Sequence, residues 1–313
     1  MTRQQWVLGI DGGGTKTDAI LVARDGTLGT GESAGPANLN TVGLDRAAQI
    51  IIELAQKCCQ NVSSGPEDLY AVGIGLAGAG RDADRAELHR HLLQISQKEH
   101  FPLTSVVVET DWRIALEAAF ASGPGVVLLA GTGSIACGKG TDGKLYRAGG
   151  WGRMLGDEGG GFAISRDAVN AALRAHDGRS PQTMLLEFAL QHFAVSSVEE
   201  LIHKLYHEHG DVASFVPKVL QAGSKEDSVA HGILSRAADE LLDLVRALMA
   251  KIHPRRKLSI ALMGGLLEKE NVYSKMTRER LVSTFPQGVI QKPKFPAVYG
   301  AAILAFQPFR FPL

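Results

Sequence analysis

The chain has 313 residues, 45% of them hydrophobic and 21% charged, which on a soft prior of ~100–200 residues per domain points to two domains, each with a sizeable core. Lys plus Arg number 33 against 33 for Asp plus Glu, and this zero formal net charge argues against nonspecific nucleic-acid or membrane-surface binding. The three cysteines, Cys58, Cys59 and Cys137, form no CxxC pair and no zinc spacing, and no apolar run reaches the ~18 residues of a membrane span. The apolar stretch Trp6 to Ile10 is too short for a signal peptide, so a cytoplasmic setting is expected and the Asn61-Val62-Ser63 sequon carries no meaning.

In chain order, residues 7–30 read as a β-meander: an apolar run Val7 to Ile10, a glycine turn, a run Asp18 to Ala23, an Arg24-Asp25-Gly26 turn, and a short strand near Leu28. A helix from about Leu44 to Cys58 follows, then a strand at Ala71 to Leu76, a helix at Asp84 to Ser96, a strand at Ser105 to Glu109 and a helix at Ile114 to Ala121. A second copy of the meander begins at Gly125: an apolar run to Ala130, a Gly-Thr-Gly turn at 131–133, a return over Ser134 to Gly138, and a third strand over Lys144 to Ala148. Residues 160–252 read as largely helical, and the last of these helices carries Leu234, Ala238, Leu241, Val245, Leu248 and Ile252 on one face. A strand at Leu258 to Met263 and helices at about 267–282 and 297–306 complete the pattern. The reading is a duplicated α/β protein, with domains 1–121 and 122–313 packed closely around a cleft and the C-terminal helix packing back on the first domain.

The sharpest motif is Asp11-Gly12-Gly13-Gly14-Thr15-Lys16-Thr17, a carboxylate at a strand end followed by glycines, hydroxyls and an ammonium. Such a loop lets backbone N–H groups approach a phosphate while the aspartate holds a hydrated Mg²⁺; a plain hairpin turn uses the same glycines. Gly131-Thr132-Gly133 has the same ingredients at the equivalent place in the repeat. No GxxxxGK[ST] loop occurs, and Gly73-Ile-Gly75-Leu-Ala-Gly78 matches GxGxxG without opening a helix, so neither a P-loop nor a dinucleotide fold is indicated. Asp111 follows the run Val106 to Val108 and so lies at the carboxyl end of a strand, placed to serve as a base, as a helix N-cap, or as both. Residues 149–161 combine Trp151 with seven glycines and the pair Asp157-Glu158, a wall suited to a sugar, and Asn38 is a further polar candidate. His203, His207 and His209 around Glu208 invite a metal reading but lack the HExxH order, and Lys251 to Lys257 reads as a solvated helix end.

Taken together, the loop at 11–17, the Asp111 segment, Ala130-Gly-Thr-Gly-Ser, Gly150-Trp151-Gly152 with Gly156-Asp157-Glu158-Gly159, and Met263-Gly264-Gly265 resemble the BadF/BadG/BcrA/BcrD ATPase family over nearly the whole length, and within it the N-acetylglucosamine kinase branch. The resemblance implies two ribonuclease-H-like domains of the actin/hexokinase-like fold flanking a nucleotide and sugar cleft. It implies that Asp11 (through water to Mg²⁺), Gly12, Gly13, Gly14, Thr15, Lys16, Thr17, Gly131, Thr132 and Gly133 hold the phosphates of Mg-ATP, with Gly264 and Gly265 near the adenosine. Asp111 becomes the base for the sugar 6-hydroxyl, and Asn38, Gly150, Trp151 and Asp157 the sugar contacts. The cysteines do not fit the Fe–S activators of that family, and the CxCGxxGC zinc motif of ROK sugar kinases is absent. The expected function is therefore ATP-dependent phosphorylation of N-acetylglucosamine or a close amino sugar, with ATP and Mg²⁺ as cofactors. A glucosamine kinase, or a nucleotide-binding switch or regulator without turnover, is the alternative, and a homodimer is expected only from the family.

Overall fold

A computed structural model of the chain describes residues 4–23, 25–208, 210–252 and 257–306. These divide into two compact units, one running to Pro124 and resuming at Lys292, the other spanning Gly125–Gln291.

In the first unit β1 (Trp6–Gly12), β2 (Thr17–Ala23) and β3 (Leu28–Ala34) form the antiparallel meander. Of the turn expected at 24–26, Arg24 lies outside the described residues, and Gly26 supplies a φ of 89° while its N–H donates to Ala23 O at 2.9 Å. Then come α1 (Leu39–Asn61), β4 (Leu69–Leu76), α2 (Asp82–Lys98), β5 (Val106–Thr110) and α3 (Asp111–Phe120). β4 lies parallel beside β1 and β5 parallel beside β4, giving the order β3-β2-β1-β4-β5. Period-two alternation sends Leu8, Ile10, Ile74 and Leu76 toward α1 and α2, and Val7 and Ala71 toward α10 (Ala297–Ala305). On that second face Gly9 and Gly73 are cross-strand partners, and each is pressed on helix backbone: a Cβ on Gly9 would lie 2.9 Å from Ala302 N, and one on Gly73 would run into Ala301 O. Gly73, the first glycine of the GxGxxG match, thus admits a helix against the sheet, and α2 opens only at Asp82.

The second unit repeats this order. β6 (Gly125–Ala130), β7 (Ser134–Lys139) and β8 (Leu145–Gly149) form the meander, and β9 (Leu258–Met263) and β10 (Gly288–Gln291) add in parallel, giving β10-β9-β6-β7-β8. Between β8 and β9 lie α4 (Gly161–His176), α5 (Leu185–His192), α6 (Val198–His207), α7 (Val216–Ser224) and α8 (Ser228–Ile252), with α9 (Val272–Thr284) before β10. The stripe Leu234, Ala238, Leu241, Val245, Leu248 on α8 is buried with Val126, Leu128 and Ala136 of the sheet. No helix among the described residues is long and apolar enough to cross a membrane.

Several boundaries differ from those read off the pattern. α1 starts at Leu39, because Asn38 caps a first turn that then breaks at Gly43 (φ 76°). α3 starts at Asp111, because Thr110 is the cap, its Oγ1 accepting from Arg113 N; the N-cap role considered for Asp111 belongs to its neighbour. α9 starts at Val272 rather than 267, since Asn271 Oδ1 accepts from the N–H groups of Tyr273 and Ser274 while Ser274 Oγ receives the Asn271 N–H.

Asp227 anchors the start of α8. Its carboxylate accepts from Ala230 N, Met184 N, Thr183 Oγ1 and Val229 N at 2.7–3.0 Å. Burial raises its pKa, but these hydrogen bonds together outweigh burial and the net shift is downward. Asp227→Ala is expected to lower the unfolding free energy by about 2 kcal/mol at neutral pH. A lowered folded-state pKa contributes stability that is present above the unfolded value and lost as pH falls through the folded one, so the penalty shrinks in acid. Urea unfolding of both proteins at neutral and acidic pH checks this; a pH-independent difference refutes it.

Candidate active site

In the first unit, Gly12, Leu76 and Thr110 stand in register across β1, β4 and β5, so the loops after these strands emerge side by side at their carboxyl ends. Backbone hydrogen bonds lace the first two to the segment before α1: Ala77 N donates to Gly12 O at 2.8 Å, Ala37 N to Gly13 O at 3.2 Å, and Leu39 N to Ala77 O at 3.1 Å. Gly12 is buried and leaves no room for a side chain beside Leu76, whereas Gly14, Thr15 and Lys16 form an exposed rim, closed by Gly13 N donating to Lys16 O at 2.9 Å. Thr17 is fully buried and its Oγ1 donates to Gly35 O at 2.8 Å, so this hydroxyl braces the segment leading to Asn38 instead of lining the rim. Asn38 spends its Oδ1 on Asn40 N at 2.9 Å, and a Cβ on Gly14 would lie 3.9 Å from its Nδ2. Gly78, at φ 85°, closes on it from the other side.

Asp11 and Asp18 are cross-strand partners, and Lys16 Nζ lies 2.6 Å from Asp18 Oδ2. The hydrogen bond and charge of Asp18, with a smaller contribution from Asp11, push the Lys16 pKa up. Asp111 is half-buried, its Oδ1 accepting from Trp112 N at 2.8 Å at the first position of α3, where the helix dipole favours an anion.

In the second unit the turn at 131–133 is seated on the start of α4: Gly161 N donates to Gly131 O at 2.8 Å and Phe162 N to Thr132 O at 2.9 Å. Asp157, at φ 61°, accepts from Gly152 N at 3.1 Å and presses its carboxylate on Gly133, where a Cβ would come within 2.8 Å of Cγ. The turn at 131–133 and the glycine-rich segment around Trp151 therefore meet at Asp157. Gly149, Gly150 and Gly152 all hold positive φ around Trp151, which is 66% exposed. Gly264 (φ 89°) lies against the backbone of Ala130, and Leu266 N donates to Ala130 O at 3.2 Å, so Gly264 and Gly265 flank the strand end from which the 131–133 turn springs.

Two supporting residues, Tyr273 and Glu268, carry no motif of their own, and Ser134 closes the Ala130-Gly-Thr-Gly-Ser run. Ser134 Oγ donates to Glu158 O at 2.6 Å, Tyr273 OH to Gly159 O at 2.8 Å from a buried position, and Glu268 Oε1 accepts from Gly264 N at 3.1 Å. Spacing offers a signal only for Glu268, four residues past Gly264 in a helical sense. Elsewhere, the His203 and His207 rings lie 5.0 Å apart with Glu208 beside His203, while His209 and residues 253–256 of the basic cluster lie outside the described residues. Cys58 and Cys59 are buried in α1, and burial pushes their thiols up to about 11 and about 12.

Burial also pushes the Asp157 pKa up; the Gly152 N–H opposes it and Glu158 adds to it. A raised folded-state pKa favours the folded protein below the unfolded value, and that contribution is lost as pH rises through the folded one. Asp157→Asn is therefore expected to gain stability relative to the parent between acid and neutral pH. The unfolding midpoints of the two proteins check it, and an unchanged difference refutes it.

Two sheets of one strand order, each with a glycine turn behind its first strand, define the duplicated actin/hexokinase-like ATPase fold. Residues 8–305 match the BadF/BadG/BcrA/BcrD ATPase family, and the chain belongs to it. It is 30% identical over 305 residues to the N-acetylmuramic acid/N-acetylglucosamine kinase of Clostridium acetobutylicum, covering 96% of this chain and 98% of the relative. It is 27% identical over 312 residues to the N-acetyl-D-glucosamine kinase of Dictyostelium discoideum, covering 95% and 97%. Among solved structures, a Chromobacterium violaceum protein assigned as an N-acetylglucosamine kinase has a TM-score of 0.78 at 25% identity, covering 96% of this chain and 99% of that one.

Proposed function

We propose that the protein is an ATP-dependent kinase that phosphorylates the 6-hydroxyl of N-acetylglucosamine or a close amino sugar in the cytoplasm. The observation that carries this reading is the row Gly12, Leu76, Thr110, which sets the glycine turn, Asn38 and the Asp111 carboxylate at one sheet end. Asp111 accepts the proton of the sugar 6-hydroxyl as its oxygen bonds to the γ-phosphorus, and the bond from that phosphorus to the bridging oxygen breaks to release ADP. The exposed rim Gly14 to Lys16 and the turn Gly131 to Gly133 hold phosphate oxygens, and Gly265, with open space where a Cβ would stand, leaves room beside the adenosine. Trp151 offers a ring face to the sugar, with Asn38, Gly150 and the Asp157 carboxylate as its polar contacts.

The donor set suits Mg²⁺: Asp11, one residue before the end of β1, offers a hard carboxylate oxygen that would hold the hydrated ion through water, with phosphate oxygens completing its shell. Bound there, the ion would offset phosphate charge.

The acidic pair Asp157 and Glu158 favours a second substrate, glucosamine, whose ammonium it would attract. ADP release from Mg-ATP, measured with N-acetylglucosamine, glucosamine, N-acetylmannosamine, glucose and no sugar, tests both. Release that depends on one amino sugar supports the kinase and names its substrate. Sugar-independent release, or none from protein that binds ATP, turns the reading to a switch or sensor.

A further inference from the structure

Trp151 stands on backbone that does little to hold it. Gly149, Gly150 and Gly152 surround it at φ 74°, 69° and 88°, with no side chains of their own to pack, and the indole is largely exposed. A ring held only by such backbone would sample many orientations, and fixing it on binding would cost entropy. One side chain supplies the missing restraint. Arg147, on β8 opposite Cys137, lays its guanidinium 4.1 Å from the centroid of the Trp151 ring, while Nη1 donates to Gly149 O at 3.0 Å and reaches Gly150 O at 3.4 Å. Its own backbone is held in turn, because Lys251 Nζ at the end of α8 donates to Arg147 O at 2.9 Å.

We propose that Arg147 is a positioning residue for sugar binding: it fixes Trp151 and the backbone at 149–150 in advance, and by covering one face of the indole it leaves the other for the sugar ring. The proposal rests on the reading of Trp151 as a sugar contact. A planar guanidinium can stack flat and bond two carbonyls at once, whereas a lysine ammonium cannot, so charge alone does not replace it.

The test uses Arg147→Ala and Arg147→Lys with two readouts. The first is acrylamide quenching of Trp151 fluorescence, isolated by subtracting the matching Trp151→Phe protein. The second is steady-state kinetics with N-acetylglucosamine and Mg-ATP. The expected result is stronger quenching of Trp151 in both variants and a KM for the sugar raised about 10-fold, with kcat and the KM for ATP little changed. Unchanged quenching in Arg147→Ala overturns the positioning role, as does full recovery of the sugar KM by Arg147→Lys. Stronger quenching with an unchanged sugar KM upholds the bracing of Trp151 and instead overturns its place in the sugar wall. A matching urea midpoint in Arg147→Lys and the parent separates these effects from loss of fold.

Discussion

Asp111→Asn is expected to lower kcat by on the order of 10²–10⁴-fold, the range that a positioned general base contributes, and to leave ATP binding as in the parent protein. The substitution keeps the shape of the side chain and an oxygen able to accept from Trp112 N, and α3 keeps its cap because Thr110, not Asp111, supplies it. What it removes is the capacity to take a proton. Isothermal titration with ATP and steady-state turnover separate the two effects; equal turnover in the variant sinks the assignment of the base.

A methyl group on Gly133 strikes the Asp157 side chain, whose atoms are its three nearest neighbours. Its Cβ meets the Asp157 carboxylate, and Gly160 already packs on Gly133 so closely that a Cβ on Gly160 would lie 2.7 Å from its Cα. Gly133→Ala is therefore expected to cost ~1–3 kcal/mol of stability by overpacking and to raise the KM for both ATP and sugar, since the turn and the wall share Asp157. Gly131→Ala gives the contrast, because nothing lies within 4 Å of its added methyl. That variant is expected to keep its melting temperature and to raise the KM for ATP alone, because on the proposed reading its methyl stands between backbone and phosphate. An unchanged ATP KM in Gly131→Ala removes this turn from the phosphate site.

The two meanders were legible because alternating apolar runs, glycine turns and Asp-Gly turns each point to the same local structure, and they recur at the same offset. β10 was not: its four residues, Gly288 to Gln291, are half-exposed at the sheet edge and carry no alternation long enough to read. Which sheet face α10 covers was a matter of tertiary packing, since its sequence AVYGAAILA is apolar all round and has no sidedness to read. At the site, glycine density exposed both turns, but the use of each hydroxyl stayed hidden. Thr17 finds its acceptor 18 residues away, and no spacing rule links it to Gly35. Arg147 was illegible for a related reason: on a half-buried strand it reads as an ordinary solvated charge until the ring it covers is in place.

The return of the chain at Lys292 sets an order of events during synthesis. The ribosome delivers β1 to α3 first, yet the apolar face formed by Val7, Val22 and Ala71 has no cover from Ala302, Ala305 and Phe306 until some 170 further residues have emerged, the whole of Gly125–Gln291. The second unit is one continuous stretch and can condense as soon as it is made, whereas the first waits half-dressed, with glycines at positions 9 and 73 holding open the berth for a helix not yet translated. A nascent chain stalled before α10 thus exposes a sticky sheet face, which makes this interval the stage at which chaperone capture would matter most.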